Sequence, residues 1–138
     1  MKKLVQIIFT LLLTAELTSC REDMQKQTLG SNYYLIGNKE NPASIKVVHS
    51  LGDNFEDVIL GEIIDYNKDP KFILIHRKIT DKAKAFFEEN ILWEKQNKYP
   101  DQYWIIDKMY DGINGPLNYK EYIARRKELQ VSDGIRIR

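Results

Sequence analysis

The spacing of turn signals constrains this chain more than any other feature. Between Asn32 and Asp107, short β-rich stretches alternate with clusters such as Gly37-Asn38, Asn41-Pro42, Leu51-Gly52-Asp53-Asn54 and Asn67-Lys68-Asp69-Pro70. Parallel neighbours need a crossover of about a dozen residues or more, and turns this short cannot supply it. Strands are expected at 33–36, 44–49, 57–66, 71–78 and 102–107. The alternation in 44–49 puts Ile45, Val47 and His49 on one face. Gly61, in the middle of 57–66, marks a bulge or bend. The stretches 57–66 and 71–78 flank a compact turn and form a hairpin.

Two helices complete the pattern. Thr80-Asp81 caps one over 82–98, where Ala83, Phe86, Phe87, Asn90 and Ile91 recur at helical spacing until Pro100 closes it. Residues 110–116 read as a loop. Asn118 then stands at an N-cap with Glu121 three residues on, and Leu117 and Tyr122 are placed to staple the entry. The last four residues alternate and either add an edge strand or hang loose. The expected class is α+β: an antiparallel β-meander of about five strands with two helices packed on one face.

The first nineteen residues stand outside this pattern. Lys2 and Lys3 precede an apolar run over 4–13, a length suited to a signal peptide and too short to span a bilayer comfortably. Leu17-Thr18-Ser19-Cys20 follows. An aliphatic residue and two small ones before a cysteine resemble the lipobox of bacterial lipoproteins. The resemblance implies that a diacylglycerol is attached to the Cys20 sulfur and that the chain is cut after Ser19. Each buried methylene contributes about 0.8 kcal/mol, so two or three acyl chains anchor stably where one does not. Residues 1–19 are thus expected to be a signal peptide, 20–31 a lipidated cysteine with a polar flexible tether, and 32–138 a single domain. Arg21-Glu22-Asp23 resembles the acidic surface-export signals of Bacteroidetes lipoproteins, and Cys20 is not followed directly by Asp. Both features favour the outer membrane, without naming the leaflet.

Residues 32–129 resemble a family of small uncharacterised bacterial lipoproteins. The likeness lies in the bent strand 58–66, Phe72 to Ile75, the Tyr103-Trp104-Ile105-Ile106-Asp107 strand with Lys108, and the Gly115-Pro116-Leu117 entry to a C-terminal helix. The resemblance implies a fold and brings no assigned activity.

Composition narrows the function classes. The chain has 21 basic and 20 acidic side chains, and once residues 1–19 are removed the two signs balance. No basic footprint exists for nucleic acid, and none is expected as a partner. Cys20 is the only cysteine, so no disulfide within the chain and no cysteine metal cluster can form. Neither Ser31, Ser44, Ser50 nor Ser132 lies in a Gly-x-Ser-x-Gly elbow, and no glycine-rich phosphate loop occurs.

His49 and His76 both fall in strands. As cross-strand neighbours they could share a metal with Asp57 or Glu62, but ligand spacing is missing and ordinary strand histidines are the simpler reading. The carboxylates Glu62, Asp65, Asp69 and Asp107 read as charges alternating outward from a half-buried sheet rather than as an acid/base pair. In each of the pairs Tyr33-Tyr34 and Tyr103-Trp104 one member should face the core and the other can be exposed. Tyr34, Tyr103, Trp104 and Trp93 are accordingly the candidate binding aromatics. The expectation is a non-enzymatic, lipid-anchored envelope protein without metal or cofactor. It would be held to the membrane through Cys20 and bind a protein partner in the envelope. The alternative is an immunity or inhibitor lipoprotein directed at an envelope toxin.

Overall fold

The computed structural model describes residues 24–138. Leu17, Thr18, Ser19 and Cys20 lie outside the described residues. Eight strands and three helices follow one another as β1 (Met24–Gly30), β2 (Tyr33–Asn38), β3 (Asn41–Leu51), β4 (Asn54–Leu60), β5 (Ile63–Lys68), β6 (Phe72–Lys78), α1 (Asp81–Phe87), α2 (Ile91–Gln96), β7 (Asp101–Asp107), β8 (Gly112–Leu117) and α3 (Tyr119–Glu128). The class is α+β, and all pairings are antiparallel between sequence neighbours. The meander is divided into two four-stranded sheets, β1-β2-β3-β4 and β5-β6-β7-β8.

The division falls at Gly61, within the stretch expected as one bent strand. A Cβ there would lie 2.4 Å from the Ala43 carbonyl oxygen and 2.6 Å from that of Ile45. Only glycine lets the chain pass this close to β3 as it leaves one sheet for the other. The two sheets then face each other across Leu29, Tyr33, Leu35, Val47 and Ile59 from the first and Ile73, Ile75, Trp104 and Ile106 from the second.

The second sheet is the middle layer. Its other face buries Phe72, Leu74, Tyr103, Ile105 and, at the end of β8, Leu117 against Tyr122, Val131 and Ile135 from α3 and the tail that follows it. The helices therefore do not share a face. Elsewhere, α1 and α2 pack Ala83, Phe87 and Trp93 on Ala43 and Leu60 of the first sheet.

Three further expectations are corrected. Residues 24–30, read as tether, form the edge strand β1. Among its described side chains Leu29 is the apolar one in the core, fully buried and preceded by polar residues, so no periodicity reveals the strand. Ser31 and Asn32, both at positive φ, turn β1 tightly into β2. The loop expected at 110–116 contains β8, which pairs with β7 through Asp107↔Gly112 and Ile106↔Ile113. The helix expected over 82–98 is two short ones. Asn90 caps the second, its side chain accepting from the Leu92 amide at 2.9 Å, and this breaks the run.

The final helix forms as its sequence requires. Asn118 accepts from the Glu121 amide at 2.8 Å, and Leu117 and Tyr122 meet in the same apolar cluster. The Glu121 carboxylate accepts from the Tyr99 hydroxyl at 2.5 Å instead of turning back on the cap.

Candidate functional site

Most of the aromatic candidates belong to the core. Trp93, Tyr103 and Trp104 keep 3%, 9% and 2% of their surface. For Tyr103 and Trp104 the reason is the middle layer: β7 is covered on both faces, so neither member of an alternating pair reaches solvent. Tyr34 remains half-exposed on the outer face of the first sheet. It meets Phe55 edge-on at 5.9 Å, and Lys26 Nζ stands 4.5 Å and 5.1 Å from the two ring centres.

The histidines lie on different sheets. His76 stacks on Tyr103 at 4.4 Å, and its Nε2 lies 3.0 Å from an Asp101 carboxylate oxygen. Its Nδ1 is hydrogen-bonded to the Arg138 backbone oxygen. This pins the tail to the sheet, and Asn67 Nδ2 donating to the Arg136 carbonyl at 3.0 Å assists. Asp57 pairs with Lys46 at 2.7 Å, and Glu62 accepts from the Thr80 hydroxyl at 2.7 Å. Neither carboxylate joins the histidines in a ligand set. Among the described residues no group of three or more histidine, cysteine or carboxylate side chains is placed to hold a metal.

The remaining acidic candidates serve the backbone. Asp69 accepts from the Lys71 and Phe72 amides, Asp107 from the Met109 amide, and Asp65 from the Tyr66 and Arg138 amides. They hold turns and the tail in place.

A different constellation forms at one end of the sandwich. Tyr33 opens β2 directly across from His49 in β3, and the two rings stack at 4.2 Å with 13° between their planes. Asp111, in the turn before β8, reaches over from the second sheet. It accepts from the Tyr33 hydroxyl at 3.1 Å, and the same oxygen lies 3.8 Å from His49 Nε2. Glu56 is the cross-strand partner of His49 on the other side. Together they open on a cleft of about 370 Å³, also bordered by Val58, Leu92, Gln96, Trp104 and Ile113. That volume is within the range of about 300–1,000 Å³ typical of small-ligand sites.

The electrostatics of the cleft are acidic. Lys46 neutralises Asp57, which leaves Glu56 and Asp111 beside the imidazole. Burial first, and then the Asp111 carboxylate, push the Tyr33 hydroxyl well above the ordinary tyrosine range, so it remains a proton donor to Asp111. Among the described residues no serine, threonine or cysteine lines the cleft. Trp104 borders it, and the buried indole N–H of Trp104 has no acceptor among the described residues.

One wall is held by a buried polar knot. Arg77 donates to the Leu60 carbonyl at 2.7 Å and to both oxygens of Gln96, at 3.1 and 3.2 Å, with its guanidinium 4.9 Å from the Trp93 ring centre. Gln96 in turn donates to the Val58 carbonyl at 2.6 Å. Burial without a carboxylate partner lowers the Arg77 pKa to about 10. The knot ties α2 to both sheets and sets the position of Gln96 at the cleft.

A larger groove of about 520 Å³ runs between α3 and the tail. Arg126 in its wall donates to the Tyr122 hydroxyl and to the Ser132 and Ile135 carbonyls and so ties the tail to α3.

Sequence reading missed Glu56 and Asp111 as site residues and treated Tyr33 as one of an alternating pair. Asp111-Gly112 is a hairpin-turn dipeptide, a signal that could have revealed β8 and brought Asp111 to the end of the sheet. A model of a family described as "Protein of unknown function (DUF3997)" matches residues 30–138. No curated protein and no solved structure matches the chain.

Proposed function

The chain belongs to this family of proteins of unknown function, and we propose that it is a lipid-anchored protein of the bacterial cell envelope that binds a macromolecular partner without catalysing a reaction. The observation that carries the anchor is Leu17-Thr18-Ser19-Cys20 behind the apolar run, with Cys20 the only cysteine. The outer membrane is the favoured location on the residues after Cys20. The binding reading is supported by the acidic, aromatic cleft.

Substituting Cys20→Ala tests the anchor. Fractionation should move the protein from membranes to the soluble fraction, and labelling with radioactive palmitate should be lost with it. A variant that stays with membranes removes the anchor from the proposal. A second reading, an immunity or inhibitor lipoprotein against an envelope toxin, draws support from Met109 and Tyr110, which leave 68% and 79% of their surface open to a partner. A toxin gene adjacent to this one favours it, and a gene standing alone counts against it.

A further inference from the structure

We infer that the cleft between the sheets takes an arginine or lysine side chain from a protein partner, which docks on the end of the molecule facing away from the membrane. The inference rests on the anchored binding module proposed above and names its surface and the chemistry of its partner.

Orientation follows from chain length. Cys20 and Met24 are four residues apart, a reach of at most about 14 Å. The end of the first sheet that holds Met24 and its partner Asn38 is therefore kept close to the bilayer. Strand β1 runs from Met24 to Gly30, which pairs with Tyr33. At about 3.3 Å per residue the cleft lies about 20 Å further from the anchor. The end that carries Tyr33, His49 and Asp111 is thus the one held away from the anchor.

Charge selects the occupant. With Asp57 paired to Lys46, Glu56 and Asp111 are the carboxylates left for a ligand, and both flank the stacked Tyr33 and His49 rings. Carboxylates beside aromatic faces suit a guanidinium, which bonds the oxygens through its planar fork and stacks on rings, and they suit an ammonium as a point charge. Anions are repelled. Trp104 lines the same cleft, so its indole N–H signal reports on what enters it.

The surroundings distinguish a protein from a free cation. Ile113 at the cleft is 42% exposed, and Leu51, two residues from His49, is 58% exposed. Apolar side chains around a polar centre are the anatomy of a protein interface rather than of a metabolite pocket.

The test uses the intact lipoprotein in detergent with nitrogen-15 label, so that its outcome does not depend on whether Cys20 carries lipid. The probes are blocked Gly-Arg-Gly, Gly-Lys-Gly and Gly-Glu-Gly peptides, spermidine and maltotriose. The arginine and lysine peptides should shift the Trp104 indole resonance (assigned through Trp93→Phe), and Glu56→Gln and Asp111→Asn should each weaken binding about tenfold or more. Asp111→Asn preserves an acceptor for Tyr33, and Glu56 is exposed, so both variants should fold. Spermidine binding as well as the peptides would make the cleft a free-cation site and overturn the docking surface. Equal response to the glutamate peptide or to maltotriose, or no response to the basic peptides at millimolar concentration, overturns the charge assignment. Failure of the Cys20→Ala fractionation with success here would leave the cleft standing and remove only the orientation.

Discussion

Tyr33 shows how one residue joins fold and site. Its ring closes the core between the sheets, and its hydroxyl holds the Asp111 turn against the first sheet. Because burial and Asp111 both raise its pKa, the folded state retains a proton that an unfolded tyrosine releases near pH 10 (about 10 for the free side chain). Tyr103 is raised by burial, and in Tyr122 burial outweighs the opposing Arg126 guanidinium. Above about pH 10 the unfolded tyrosines bind fewer protons than the folded ones, so their contribution to stability is lost as pH rises, while Arg77, lowered by burial, contributes with the opposite sign. Comparing the protein with Tyr33→Phe isolates the tyrosine share: the variant should cost about 1 kcal/mol at neutral pH for the lost hydrogen bond, and the gap between the two urea midpoints should narrow beyond about pH 10. Identical alkaline profiles for the two chains would mean that the hydroxyl is not held as described.

At the scale of elements, caps decide where helices start. Asn118 satisfies the Glu121 amide and Asn90 the Leu92 amide. Replacing either by alanine should cost about 1 kcal/mol in urea denaturation. A change below a few tenths for Asn90→Ala would show that α1 and α2 are separated by packing alone. The two caps differed in legibility. Asn118 precedes a helix whose acidic third residue and apolar staple repeat the same message locally. Asn90 also occupies a helical spacing with Phe86 and Phe87, so its neighbours favour continuation. The choice is made by Trp93 turning in to meet Phe87 and Leu60, with the rings of Phe87 and Trp93 at 5.9 Å. Phe86 and Ile91, expected on the buried stripe, are instead 55% and 72% exposed.

The whole molecule is held by the shared core of the two sheets. Ile75 is fully buried among residues of both. Ile75→Ala should cost about 2–5 kcal/mol, through lost contact and the cavity left behind. The loss should appear as one transition, with far-ultraviolet dichroism and the near-ultraviolet signal of Trp104 moving together. Two resolved transitions would mean that the sheets are separately stable. No single sheet has a second apolar partner for its inner face, so cooperativity is the expected result.

What the sequence determined by itself is local. Turn clusters only a few residues long forced antiparallel neighbours, the strands at 71–78 and 102–107 were legible in their β-branched and aromatic content, and the Asn118 cap lies within one helical turn of its partners. Tertiary structure alone decided the division into two sheets, because Gly61 announces a bend but not that Ala43 and Ile45 lie beneath it. It also decided that Tyr103 and Trp104 are both core, since a strand covered on two faces no longer obeys the alternation that separates inside from outside. The cleft was decided there as well. Tyr33 and Asp111 are 78 positions apart, and a contact at such distance leaves no pattern in either segment: it exists only because one sheet lies across the other.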